Sequence, residues 1–168
     1  LLGAGYLSKI LYDMIPAGTN PLGEKNVLGI ATGTLTGSMF PQASRHVVAA
    51  LSPLTGVWGE SHAAGFFGAE LKLAGYDAIM FTGASKDPLY LNIEDSKVEL
   101  RDASHLWGKD VFKTDDILRK DHNRTFRTLS IGQAGENLVR FAAVMNDRDR
   151  ASARSGLGAV MGSNFYQC

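Results

Sequence analysis

Two stretches of the chain follow the same plan, and that repetition limits what the chain can fold into. GIATGTLTG (residues 29–37) and TLSIGQAGE (residues 128–136) each read as an apolar strand ending in a glycine turn. Each is followed by a further strand and then by a small-residue helix opening, GFFGAEL in the first case and SGLGAVM in the second. The pattern predicts an α+β fold of two β-sheets with flanking helices, related by an internal pseudo-twofold duplication. Small residues at a helix mouth let another molecule approach the backbone, where first-turn N–H groups lack intrahelical partners and favour anions. Two such mouths, related by an approximate dyad, suit a ligand with two similar anionic halves. Tight helix–sheet packing is the competing explanation for the same residues.

Composition narrows the function classes. With 168 residues, 45% of them hydrophobic, the chain is one domain-sized unit able to build a sizeable core. Its 17 basic and 17 acidic side chains cancel, so no broad field attracts nucleic acid or an anionic membrane, and any anion must be held locally. The single cysteine, Cys168, excludes a disulfide scaffold and a self-contained thiolate-ligated zinc or iron–sulfur site. There is no apolar run of membrane-spanning length and no signal-peptide order, which predicts a cytoplasmic protein. Helical spacing starts at Leu2 without a capping residue, and the end follows a helix-like segment directly. Both ends therefore read as incomplete, with one domain over 1–168.

Along the chain, VLGIATG, RHVVAALS and AIMFTG read as strands, LYLNIEDSKVELRDA as a hairpin and WGKDVFKTDDILRKDH as an amphipathic helix. FRTLSIGQAGENLVRFAAVMND reads as two short strands around a glycine turn, and RASARSGLGAVMGS as a small-residue helix. GLGAVMG approaches a dinucleotide fingerprint, but its glycine spacing is wrong and no apolar strand precedes it. Asp115 and Asp116 read as helix-start charge, Glu136 and Asn137 as turn-capping groups, and His46, His105 and His122 as structural.

The motifs IATGTLTG, SRHVVAALSPLTG, ESHAAGFFGAELKLAGYDAI, VELRDASHLWGKD and IGQAGENLVRFAAVMNDRDRASARSGLGAVMGS, in that order, resemble the N-terminal domain of the aldehyde ferredoxin oxidoreductases. The resemblance implies a saddle-like domain whose halves each carry one pterin of a tungsten-bis-pterin cofactor. It implies that Arg45 lies between a pterin and a 4Fe-4S cluster, its planar donor fork suited to ring and sulfur acceptors. His62 stands where better-known members carry asparagine. The backbone carbonyls of His62 and Ala151 would hold a magnesium ion bridging the two pterin phosphates. Arg150 and Arg154 would neutralise those phosphates. Ala63, Ala64, Gly65, Gly68, Gly156 and Gly158 would lie beneath the pterins, together with Ala153. ARSGLG replaces the family's GRGGLG, so Ala153 and Ser155 each add a Cβ.

The implied function is the cofactor-binding part of an enzyme that oxidises aldehydes to carboxylates and passes electrons through the cluster to ferredoxin. The cluster ligands and acid–base residues belong to later domains, so this chain alone is expected to be inactive. Those domains and ferredoxin are the implied partners, and a homo-oligomer is compatible with the family. Two alternatives stand beside this reading: a non-catalytic pterin- or phosphate-binding module, and the equivalent domain of a tungsten enzyme that reduces aromatic thioesters.

Overall fold

The computed structural model describes residues 2–164; Leu1 and the residues after Asn164, including Cys168, lie outside it. The chain order is α1 (Ala4–Met14), β1 (Leu28–Thr32), β2 (His46–Leu51), β3 (Trp58–Ala63), α2 (Phe67–Leu73) and β4 (Ala78–Phe81). Then come β5 (Leu89–Glu94), β6 (Lys97–Asp102), α3 (Val111–Asp121), β7 (Leu129–Ser130) and α4 (Gln133–Glu136). The last elements are β8 (Val144–Asn146), β9 (Arg150–Ser152) and α5 (Leu157–Asn164).

The α+β class follows the sequence reading, but the described residues form three antiparallel sheets instead of two. The first has the order β3-β2-β1-β4, the hairpin β5-β6 stands alone, and β7-β8-β9 forms the third. The first sheet is covered on both faces. Leu7 and Leu11 of α1 pack with Val47 and Ala49 on one side, while Ile30 and Val48 meet Val144, Leu157 and Met161 on the other. This double burial explains why β1 and β2 read as unbroken apolar runs. The hairpin rests on a smaller cluster of Tyr90, Leu106 and Leu118.

The two repeats trace the same path: β1-β2-β3 followed by α2, and β7-β8-β9 followed by α5, each strand triplet an antiparallel meander. Two strands depart from the sequence reading. Trp58–Ala63 is a strand, although the stretch shows no apolar alternation, because its inward positions are Gly59, Ser61 and Ala63. Arg150–Ser152 is likewise a strand, so the last helix starts only at Leu157. Small inward residues are required at both places because β3 and β9 lie side by side in opposite directions. A Cβ on Gly59 would sit 2.6 Å from that of Ser155, and one on Gly65 would sit 2.7 Å from Arg150 Cδ.

Asp110 caps α3 by accepting from Lys113 N at 2.8 Å. Asp115 is therefore not helix-start charge. It is fully buried, accepts from Arg119 Nε at 2.8 Å, Arg148 Nε at 2.7 Å and Thr128 Oγ1 at 2.9 Å, and ties α3 to the third sheet. Burial pushes its carboxyl up, but those donors outweigh burial and hold it below the usual range.

Candidate phosphate and cofactor site

Between the facing edges of β3 and β9 lies a concavity of about 470 Å³, lined by Arg45, Glu60, Ser61, His62, Ala151, Ala153 and Arg154. Five of these, Arg45, His62, Ala151, Ala153 and Arg154, are residues singled out from the sequence, drawn from three separate segments. Arg45 and Arg154 are exposed and bring positive charge to a chain with none to spare overall. The loop before Arg45 is fixed by Thr36, whose hydroxyl accepts from Gly33 N at 2.9 Å and donates to Arg45 O at 2.9 Å.

Ladder geometry decides where the backbone groups of the two edges point. Ser52 N donates to Val57 O at 2.9 Å and Thr32 N to Asp77 O at 2.9 Å, and both bonds fix the same alternation across the first sheet. Opposed residues alternate between hydrogen-bonded and non-bonded pairs, so His62, opposite Val47, turns its carbonyl away from β2. Asp147 N donates to Thr128 O at 2.8 Å, which phases the third sheet and makes Ala151 and Met145 a non-bonded pair. Ala151 therefore turns its carbonyl away from β8. Each edge strand thus presents backbone carbonyls to its open side, hard oxygen donors of the kind that suits a small divalent cation.

The other predicted residues divide by position. Arg150 is exposed but outside the concavity, with its guanidinium 5.8 Å from the Phe66 ring centroid and Nη1 donating to Asp149 at 2.9 Å. Ala64 and Gly65 are half-buried at the rim. Ala64 O accepts from Asn146 Nδ2 at 2.6 Å, and Gly65, at φ 119°, has Asn146 and Arg150 where a Cβ would stand. Ala63, Gly68, Gly156 and Gly158 are buried, and at Gly156 and Gly158 the small size is already required by the protein's own packing. A Cβ on Gly68 would lie 3.2 Å from His46 Cβ; on Gly156 it would overlap the Arg140 carbonyl, and on Gly158 the Ala143 carbonyl. For Gly156 and Gly158, packing against backbone accounts for the small residue without a ligand.

Glu60 and Ser61 belong to the concavity but were not singled out from the sequence. Glu60 lies two positions before His62 on the same face of β3, so recognising that strand would have found it. Its carboxylate is 3.5 Å from His62 Nε2 and accepts from Trp58 Nε1 at 3.3 Å. Ser61 accepts from Arg154 N at 3.2 Å, and Ser52 Oγ donates to Ser155 O at 2.8 Å, joining the halves across the gap. Behind the site, His46 is buried against Phe67, with ring centroids 5.4 Å apart and both ring nitrogens unpartnered among the described residues. Burial, aided by the nearby His62, lowers its pKa to about 4 and keeps it neutral.

A larger cleft of about 550 Å³ lies between α2, β4, β5 and α3, lined by residues such as Phe67, Phe81, Tyr90 and Leu118. None of the predicted site residues reaches it, and the smaller concavity carries the convergent charge and the outward-turned carbonyls. Among the described residues there is no cluster of three or more histidine, cysteine or acidic side chains able to hold a metal, and no helix long and apolar enough to cross a membrane.

Residues 1–165 match the family described as aldehyde ferredoxin oxidoreductase, N-terminal domain. The chain is 50% identical over 155 residues to a tungsten-containing aldehyde ferredoxin oxidoreductase of Pyrococcus furiosus, covering 92% of this chain and 26% of that protein. A protein of the same description from Thermococcus kodakarensis gives the same identity and coverage. An aliphatic sulfonate oxidoreductase, WOR-like subunit, of Pyrococcus furiosus is 40% identical over 159 residues. Among solved structures, the active-site complex BamBC of benzoyl coenzyme A reductase with 1,5-dienoyl-CoA superposes with a TM-score of 0.91 at 40% identity. That match covers 96% of this chain and 25% of the other. The chain thus spans about a quarter of the length of the relatives it matches. The paired meanders, the concavity between their edges and a family match over nearly every residue agree: this chain belongs to the aldehyde ferredoxin oxidoreductase family, as its N-terminal domain.

Proposed function

We propose that this domain binds a tungsten-bis-pterin cofactor for an enzyme that oxidises an aldehyde to a carboxylate and delivers two electrons through a 4Fe-4S cluster to ferredoxin. The observation that carries the reading is the pair of outward carbonyls, His62 and Ala151, on facing edges beside Arg45 and Arg154. Two phosphates joined by magnesium need that combination: hard oxygen for the cation and guanidinium donors for the anions. Ala151 and Ala153 are exposed and nearly without side chain, which leaves the backbone open to a flat ring system. When bound, the tungsten centre supplies the two-electron redox chemistry. The chain's own residues supply position and charge: Arg154 towards phosphate from within the concavity, Arg150 from beside it, and Arg45 as a fixed donor fork. The cluster, the acid–base groups and the ferredoxin contact belong in this reading to the remaining three quarters of a relative-sized protein, in the cytoplasm, with self-association open to it.

Aldehyde oxidation is preferred to aromatic-thioester reduction because the aldehyde ferredoxin oxidoreductases share 50% identity with this chain against 40% for the benzoyl coenzyme A reductase complex. The test is to purify the full-length protein from tungstate-supplied cells, measure tungsten and pterin per chain, and assay aldehydes against aromatic thioesters. Two pterins per tungsten with aldehyde-dependent reduction of ferredoxin is the expected result. Pterin without either activity would favour a binding module, and no pterin would refute the reading.

A further inference from the structure

We propose that Glu60 supplies a carboxylate to the divalent cation held between the edges of β3 and β9, an inference that rests on the cofactor reading above. A carboxylate is out of place in a phosphate site. At close range, inside the Debye length, it repels the anion. Glu60 nevertheless lines the concavity with Arg45 and Arg154 and pairs with neither. Its contacts are long, 3.3 Å from Trp58 Nε1 and 3.5 Å to His62 Nε2, and its side chain is 41% exposed, so lone pairs on both oxygens remain free.

A cation between carboxylate and phosphates turns the repulsion into attraction. The ladder also gives Glu60, opposite Ala49 in a non-bonded pair, the same outward backbone direction as His62. Residues two apart on a strand are separated by about 7 Å, within reach of a glutamate side chain acting through one water. Magnesium keeps several waters and is commonly bound by one or two carboxylates together with phosphate, so a water-mediated carboxylate completes the donor set. No arginine could take that role.

The role reverses sign with the cation, and this makes it testable. In the full-length, pterin-loaded protein stripped of magnesium, Mn²⁺ titrated as an electron-spin-resonance probe should bind about tenfold more weakly to E60Q than to the parent. In EDTA, where only repulsion remains, E60Q should retain pterin at least as long as the parent. Manganese affinity within twofold of the parent, or faster pterin loss from E60Q in EDTA, overturns the role given to Glu60. Pterin is assayed on the same parent sample. Its absence there refutes the cofactor reading, whereas a loaded parent with unchanged E60Q affinity refutes only Glu60.

Discussion

The first and second repeats follow one path but present opposite chemistry along their facing edges. β3 shows Trp58, Glu60 and His62 to the open side, while the segment through β9 shows Arg150, Ala151, Ala153 and Arg154. Their helices differ as well. α2 meets the first sheet through Gly68, where an added Cβ would lie closest to a side-chain atom, His46 Cβ at 3.2 Å, a tight contact that a small shift relieves, whereas α5 is clamped by backbone: Gly158 against Ala143 and Gly162 against Gly135. A shared fold therefore fixes where the two edges stand and leaves each edge free to take its own charge. One edge carries arginine, and the other carries a carboxylate.

The largest expected effect tests how the second repeat is anchored. Asp115→Ala leaves Arg119 and Arg148 without their shared acceptor and should cost about 4 kcal/mol, read from urea unfolding. A loss below about 1 kcal/mol would mean that the apolar core alone holds the second repeat. Next, Gly158→Ala should cost about 3 kcal/mol, because backbone must move to admit the methyl group. Gly68→Ala should cost less than about 1 kcal/mol, since the gain in helix propensity offsets a mild contact. Equal losses would erase the contrast between α2 and α5.

His46 gives the first repeat its own pH signature. Its pKa falls from 6.5 when unfolded to about 4 when folded, so the unfolded state binds the extra proton in that window. Stability is complete above pH 6.5 and declines as pH falls towards 4, by up to about 3 kcal/mol. Thermal melts of His46→Phe should lack that slope; an unchanged slope would assign it elsewhere. The smallest effect concerns the cationic edge. Arg154→Ala should lower pterin content and raise the phosphate dissociation constant about tenfold, from the loss of one charge-assisted bond, with little change in unfolding. Full loading in that variant would remove Arg154 from the site.

Much of the architecture was legible because burial writes itself into side chains. β1, β2 and β4 carry apolar runs, the β5-β6 hairpin alternates, and α3 keeps its helical period. β3 and β9 were not legible as strands, since their inward faces hold Gly59, Ser61, Ala63 and Ser152, where crowding between two backbones demands small residues instead of apolar ones. Asp115 was misread for a related reason: its neighbours Thr128 and Arg148 are distant in sequence, and local spacing says nothing about them.

From the sequence alone came the repeat, the family's motifs and the set of arginines and small residues expected to serve one ligand. Those are properties of residue identity and order, which the chain carries before it folds. Only the tertiary structure separated the small residues that open a surface, Ala151 and Ala153, from those that seal an interior, Gly68, Gly156 and Gly158. It also turned the carbonyls of His62 and Ala151 to the open edges and set Glu60 among the arginines. A side chain's absence has the same spelling in both roles, and the direction of a carbonyl is set by the phase of a ladder whose paired residues lie up to 53 positions apart along the chain, as Leu28 and Phe81 show.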